Sequence, residues 1–372
     1  MHSTKCFEIS PPEDVELRIE ERTKLKYLLT FPAGYKEKDQ KGLIFVIPGF
    51  GDNAESEYQT DKLRPYLADK YDCIVAGVRY HNDLRVRKTY RINIDKICKL
   101  YELDPNYFST PLNFDEIISK LESMLIQKGI FRLDPKLAIK MDCYDTYNSF
   151  GFLPALDHLK VLYDIMHEFQ IIKSRIVAYG SSYGGYIAML MGKYAPKTFF
   201  AIIDNSGFCV ADPGQVTGNV FFDRGGALSF IRYSNGKRYE IPILTDNKWS
   251  IDETSCFYYS DGHRKIRSLL EESHRVKSDT IYCSFHSVKD IIVPVPHKDK
   301  CIGILSKYNK VFYKKIEEKD IDGKLFKNIK HGMDASLRKL YDHSVKNILS
   351  YKQKRDNATD FDLNSNYSFK CC

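Results

Sequence analysis

Short apolar runs separated by polar turns recur along this chain, and they alternate with stretches whose apolar residues fall three or four apart. Leu43-Ile44-Phe45-Val46-Ile47 is a continuous apolar run of the kind shown by a strand covered on both faces. Cys73 to Val78, Ser174 to Tyr179, Thr198 to Ile203, Thr280 to Phe285 and Lys310 to Ile316 read as further strands. Asp61 to Lys70, Leu153 to Met166, Tyr186 to Tyr194 and Ser336 to Leu349 read as helices. In the second of these, Leu153, Leu156, Leu159, Leu162, Tyr163 and Met166 share one face. This alternation predicts an α/β fold, a mostly parallel doubly wound sheet with helices on both faces. Near the N-terminus, Glu16 to Glu20 and Lys26 to Thr30 are close enough to pair as an antiparallel edge.

Two stretches break the rhythm. Residues 83–150 carry mixed helical segments, including Phe114 to Lys128, and residues 206–279 are rich in aromatics and turns. Within the second, Phe230 to Tyr233 and Arg238 to Ile241 flank Asn235-Gly236, a strong hairpin signal. The expectation is one domain over residues 1–352 with two insertions acting as lids, followed by a polar tail at 353–372 that frays.

Composition narrows the possibilities. With 372 residues, 43% of them hydrophobic, the chain can bury a large core. The net charge of +7 is dispersed along the chain, which does not point to nucleic-acid binding. One basic run, Arg85-Val86-Arg87-Lys88-Thr89-Tyr90-Arg91, is either a solvated face or an attractor for an anionic substrate. The N-terminus lacks the apolar segment of a signal peptide and no run of about 18 apolar residues exists, so a cytoplasmic protein without membrane insertion is expected. The ten cysteines lack Cys-x-x-Cys spacing, so buried thiols are expected rather than a zinc site or disulfide framework. Neither a metal nor an organic cofactor is expected. The terminal Cys371-Cys372 is not a prenylation box.

The chemistry centres on Gly180-Ser181-Ser182-Tyr183-Gly184, which lies where a strand pattern runs into a helical one. Gly-x-Ser-x-Gly alone arises by chance in about one chain in ten of this length. At a sharp strand-to-helix turn, however, small neighbours let the backbone bend and the serine hydroxyl stand clear of the sheet, which makes Ser182 a candidate nucleophile. The bland alternative is a glycine-rich turn without chemistry.

A serine nucleophile needs a base within reach and a carboxylate to orient that base. The elbow resembles that of the α/β-hydrolases, and that resemblance implies the order serine, then acid, then histidine along the chain. Of ten histidines, His331 alone lies in the loop between the last strand and the last helix, where Gly332 leaves the imidazole room. His343 falls inside that helix and His297 opens an earlier one. Asp290, in the turn after the strand ending near His286, is placed to fix the tautomer of His331. Asp299 sits deeper in the following helix, and a turn-forming role alone is the other reading of Asp290.

These motifs resemble the α/β-hydrolases, and among them the prolyl-oligopeptidase-like serine esterases and peptidases. The resemblance runs through the turn Pro48-Gly49-Phe50-Gly51, the helix Leu153-Pro154-Ala155-Leu156, the elbow extended by Gly185, the segment Lys289-Asp290-Ile291-Ile292-Val293-Pro294 and His331-Gly332-Met333. It covers most of residues 40–350 apart from the insertions. The chain is also similar to an uncharacterised bacterial family of such hydrolases associated with surface-glycan and flagellin-modification gene sets. Two departures stand out: Pro48 replaces the usual histidine of the His-Gly turn, and only about 40 residues precede the first core strand, too few for a β-propeller.

The resemblance implies acyl transfer with Ser182 as nucleophile, His331 as base and Asp290 as its orienting acid. The oxyanion would be held by backbone N–H groups of Tyr183 and of Phe50 or Gly51. Activity should fall below about pH 6.5, where a histidine ordinarily gains a proton. Substrate choice would lie with the insertions, where Trp249, Arg85 and Arg87 are the candidate contacts and the many aromatics would otherwise form the lid's own core. A small-molecule or glycan-borne acyl ester is the favoured substrate. A peptidase, an acyltransferase and a catalytically silent binding module on the same fold are the alternatives.

Overall fold

The fold is described from a computed structural model over residues 2–18, 22–50, 52–81, 89–108, 114–137, 139–142, 147, 149–211, 229–245, 249–250, 252–273 and 275–352. Its strands, in chain order, are β1 (Ser3–Ile9), β2 (Leu25–Phe31), β3 (Lys41–Ile47), β4 (Cys73–Arg79), β5 (Thr89–Arg91), β6 (Ile139–Asp142), β7 (Ile171–Ser181), β8 (Ala201–Asn205), β9 (Ser229–Ser234), β10 (Lys237–Thr245), β11 (Ile281–Ser287) and β12 (Lys310–Ile316). The chain divides into two compact units, one of residues 1–85, 151–211 and 261–372 and one of residues 86–150 and 212–260.

Among the described residues, the first unit holds an eight-stranded sheet in the order β1-β2-β4-β3-β7-β8-β11-β12. β2 pairs antiparallel with β1 and with β4, and every other neighbouring pair is parallel. This is the mostly parallel α/β sheet that the alternation of strands and helices predicts. Its interior strands read as apolar runs because both faces are covered: β8 and β11 are buried throughout, and β3 at every position but Lys41. On one face Leu63, Leu67, Leu340, Tyr341 and Ile348 from flanking helical segments pack with Ile44, Val75, Tyr179, Ile203 and Phe285. The chain passes from β3 out to β4 and then back to β7 on the other side of β3. The loops after β3 and β7 therefore meet at a topological switch point, where α/β sheets place their ligands.

The second unit builds a four-stranded sheet, β5-β6-β10-β9, around a core that includes Leu121, Leu125, Leu133, Ile139 and Ile241. The hairpin expected at Asn235-Gly236 joins β9 to β10. Both turn residues adopt positive φ, 49° and 71°, as the tight two-residue hairpin turn demands.

The N-terminal edge differs from expectation. Residues 15–17 form a turn rather than a strand, because Oδ1 of Asp14 accepts the N–H groups of Glu16 and Leu17 at 3.1 and 3.2 Å. The partner of β2 is instead β1, a mostly exposed edge strand whose side chains carry no apolar run to betray it. Five of the seven described cysteines are buried, but Cys6 and Cys256 are exposed, so the expectation of buried thiols fails at those two. No helix among the described residues is long and apolar enough to cross a membrane.

Candidate active site

β7 enters the helix Tyr183–Tyr194 through a single residue, Ser182, at φ 54° and ψ −121°. Such a backbone is costly for a side chain larger than hydrogen and persists only where its surroundings over-determine it. Here the Ser182 N–H donates to the Asn205 carbonyl at 2.7 Å and the Ser182 carbonyl accepts from Tyr186 N–H at 3.1 Å. The flanking glycines are dictated by contact. A Cβ on Gly180 would lie 2.1 Å from the Gly184 oxygen, and one on Gly184 would lie 2.0 Å from the Ile47 oxygen. The elbow thus closes against the end of β3, which brings the Pro48-Gly49-Phe50 turn beside it. The Phe50 and Tyr183 rings stack there at 4.0 Å and 10°.

His331 opens a short 3-10 turn, His331–Asp334, ahead of the helix Leu337–Lys352. Its Nε2 lies 2.8 Å from Ser182 Oγ, and its Nδ1 lies 2.8 Å from Asp290 Oδ2. The three predicted residues therefore form one hydrogen-bonded chain, from sequence positions 149 and 41 residues apart. The Asp290 side chain is fully buried, and its Oδ1 accepts the N–H groups of Ile292 and Val293, both at 2.9 Å. Burial alone would raise the Asp290 carboxyl. The His331 hydrogen bond and charge, helped by the Val293 N–H, outweigh it and hold the group below the usual carboxylate range. An ionised carboxylate can only accept, so Nδ1 of His331 carries the proton, and in the neutral imidazole Nε2 is left to accept from the Ser182 hydroxyl.

The remaining site residues fall differently. Arg85, Arg87 and Gly51 lie outside the described residues. Trp249 is only 4% exposed, with Tyr147 and Tyr259 edge-on at 5.7 and 5.4 Å, which makes it part of a buried aromatic cluster in the second unit. Among the described residues, no three His, Cys, Asp or Glu side chains are grouped as metal ligands.

Sequence reading passed over three neighbours of the hydrogen-bonded chain. His286, at the end of β11, is fully buried and donates Nε2–H to the Val293 carbonyl at 3.0 Å, bracing the turn that carries Asp290. Burial, reinforced by the nearby Lys298 charge, lowers its pKa and keeps it neutral. Asn205 and Ser206 close the end of β8. Their one legible signal was position: polar residues at the carboxyl end of a buried strand next to the elbow.

Three solved structures similar to this chain illustrate how low the sequence likeness is. An acylaminoacyl peptidase from Pyrococcus horikoshii is 12% identical, with a TM-score of 0.47 over 97% of this chain and 43% of that one. A thermostable esterase is 14% identical, with a TM-score of 0.44 over 94% of this chain and 62% of that one. The chain thus spans less than two thirds of the length of both proteins. Est1E from Butyrivibrio proteoclasticus, solved with ferulic acid bound, is 14% identical, with a TM-score of 0.46 over 89% of this chain and 96% of that one. No curated protein matches the chain. The model of the family described as protein of unknown function (DUF2920) matches residues 5–371, and the chain belongs to that family.

Proposed function

We propose that this protein is a serine hydrolase that cleaves a carboxylic ester, small or carried on a glycan, through an acyl-enzyme. The observation that carries the reading is the unbroken path from Asp290 through His331 to Ser182, with both hydrogen bonds at 2.8 Å. Neutral His331 takes the hydroxyl proton as Ser182 Oγ attacks the ester carbonyl, and Asp290 stabilises the imidazolium that forms. The oxyanion is held by the backbone N–H groups of Tyr183 and Phe50, and the positive N-terminal end of the helix Tyr183–Tyr194 lies at the same point. Collapse of the tetrahedral intermediate expels the alcohol, which takes the proton from His331. Water, deprotonated by His331, then releases the acid and restores Ser182.

Hydrolysis of p-nitrophenyl acetate and butyrate by the full chain, beside Ser182→Ala, tests this. Wild type should turn over and be labelled at Ser182 by a fluorophosphonate, and the variant should do neither. Failure of the wild type in both assays would refute the reading. Cleavage of aminoacyl or peptidyl amides without ester turnover would replace the ester assignment with a peptidase.

A further inference from the structure

All three segments that bear the hydrogen-bonded chain converge on two adjacent residues that lie in none of them. The Asn205 carbonyl accepts the Ser182 N–H at 2.7 Å, which ties the end of β8 to the elbow. Ser206 N–H donates to the Phe285 carbonyl at 2.9 Å, on the strand that leads to Asp290. Both sides of Gly332, next to His331, are also gripped. Its N–H donates to Ser206 Oγ at 3.2 Å, and its carbonyl accepts from Asn205 Nδ2 at 3.3 Å. The same amide donates to Ser181 Oγ at 3.0 Å.

We propose that Asn205 and Ser206 are positioning residues that set the elbow, the Asp290 strand and the His331 loop in register for catalysis. This rests on the serine-hydrolase reading above. Two features argue that the pair does more than fill space. The His331 loop needs outside support, since Gly332, Met333 and Asp334 follow one another at φ of 73°, 57° and 43°. Asn205 is 1% exposed and its Oδ1 has no hydrogen-bond partner among the described residues, so the amide is an expensive way to pack this corner. Its donor side is what reaches the nucleophile and base segments together. A shift of about 1 Å in a reacting group lowers turnover roughly a hundredfold, so loss of this grip should be read in kcat.

The test measures p-nitrophenyl ester hydrolysis, melting temperature and the downfield proton resonance of His331 Nδ1–H in wild type, Asn205→Ala, Asn205→Leu and Ser206→Ala. Asn205→Ala and Asn205→Leu should lose about 10- to 100-fold in kcat with KM within about twofold, and their Nδ1–H signal should broaden or disappear. Melting temperature should change little. Ser206→Ala should move the same way by a smaller factor. In a His331→Ala background, Asn205→Ala should cost nothing further. Turnover within twofold of wild type with an unchanged Nδ1–H signal would overturn the proposal. So would a loss confined to unfolded molecules, with normal turnover per labelled site. If the position 205 variants do not fold, Ser206→Ala and Ser181→Ala, which removes the second acceptor of the amide, decide the matter. A wild type that neither hydrolyses esters nor labels refutes the hydrolase reading alone, because the Nδ1–H signal still reports whether Asn205 holds His331.

Discussion

Lys298 Nζ lies 2.7 Å from Asp204 Oδ2, with both side chains closed off from solvent. Asp204, at the end of β8, also accepts Ser284 Oγ–H and the Gly207 N–H, each at 2.7 Å. Lys298 stands on the helix Val295–Tyr308, which follows the Asp290 turn. Burial works against its charge, yet the Asp204 carboxylate and the nearby Cys209 and Cys301 thiols hold its pKa above the ordinary lysine value. The pair thus pins the helix after the Asp290 turn to the strand next to the elbow. Removing one partner leaves the other buried and uncompensated. Lys298→Met should therefore cost about 3–5 kcal/mol in urea unfolding, and adding Asp204→Asn should recover part of that loss.

Asp290→Asn keeps the volume but reverses a hydrogen bond. An amide at this position can donate to Nδ1, which moves the imidazole proton to Nε2 and leaves no lone pair facing Ser182. A loss of about four orders of magnitude in kcat is expected, with KM little changed, measured by ester hydrolysis. The stability term has a definite sign as well. Because the folded-state pKa of Asp290 is depressed, its contribution is present above about pH 4 and is lost as pH falls through the folded value.

Ser182→Gly should abolish activity and yet give a more stable protein than Ser182→Ala. Alanine retains the penalty of φ 54°, ψ −121°, of the order of 1–3 kcal/mol, whereas glycine adopts that backbone freely. Elsewhere in a regular element glycine is the worse choice by roughly 0.5–1 kcal/mol. A lower melting temperature for the glycine variant than for the alanine variant would mean that the elbow is not strained.

His158 should make the fold acid-labile. Burial in the helix Phe152–Glu168 pushes its pKa down to about 4, while Nδ1–H donates to the Pro154 carbonyl at 2.7 Å. The unfolded chain takes up this proton near pH 6.5 and the folded one does not, so stability is full above about pH 6.5 and drains away as pH falls toward 4. The shift corresponds to about 3 kcal/mol. Melting temperature should fall more steeply with acid in wild type than in His158→Gln, which keeps a donor for the Pro154 carbonyl. Parallel curves would rule this group out as the cause.

How much of this was legible depended on the range of the physics. Leu43 to Ile47 announces a strand because burial on both faces writes itself into consecutive residues. β1 announces nothing, since an exposed edge strand needs only backbone partners. Ser182, Asp290 and His331 could be singled out because each sits at a chain position defined by local pattern: a strand-to-helix turn, a turn after a strand, a loop before the last helix. Trp249 had no such position. Its residue type suggested a substrate contact, whereas its neighbours Tyr147 and Tyr259 make it core.

The chain by itself therefore determined the strand and helix rhythm, the glycines that let the elbow close and the order of serine, acid and histidine, because each is set by neighbours within a few residues. Only the tertiary structure decided that β1 pairs with β2 while residues 15–17 turn, that Lys298 finds Asp204 and that Asn205 and Ser206 touch all three segments around Ser182. The side-chain hydrogen bonds among them join residues from 24 to 127 positions apart. No local pattern encodes them, because they exist only once parallel strands bring their carboxyl ends to one edge.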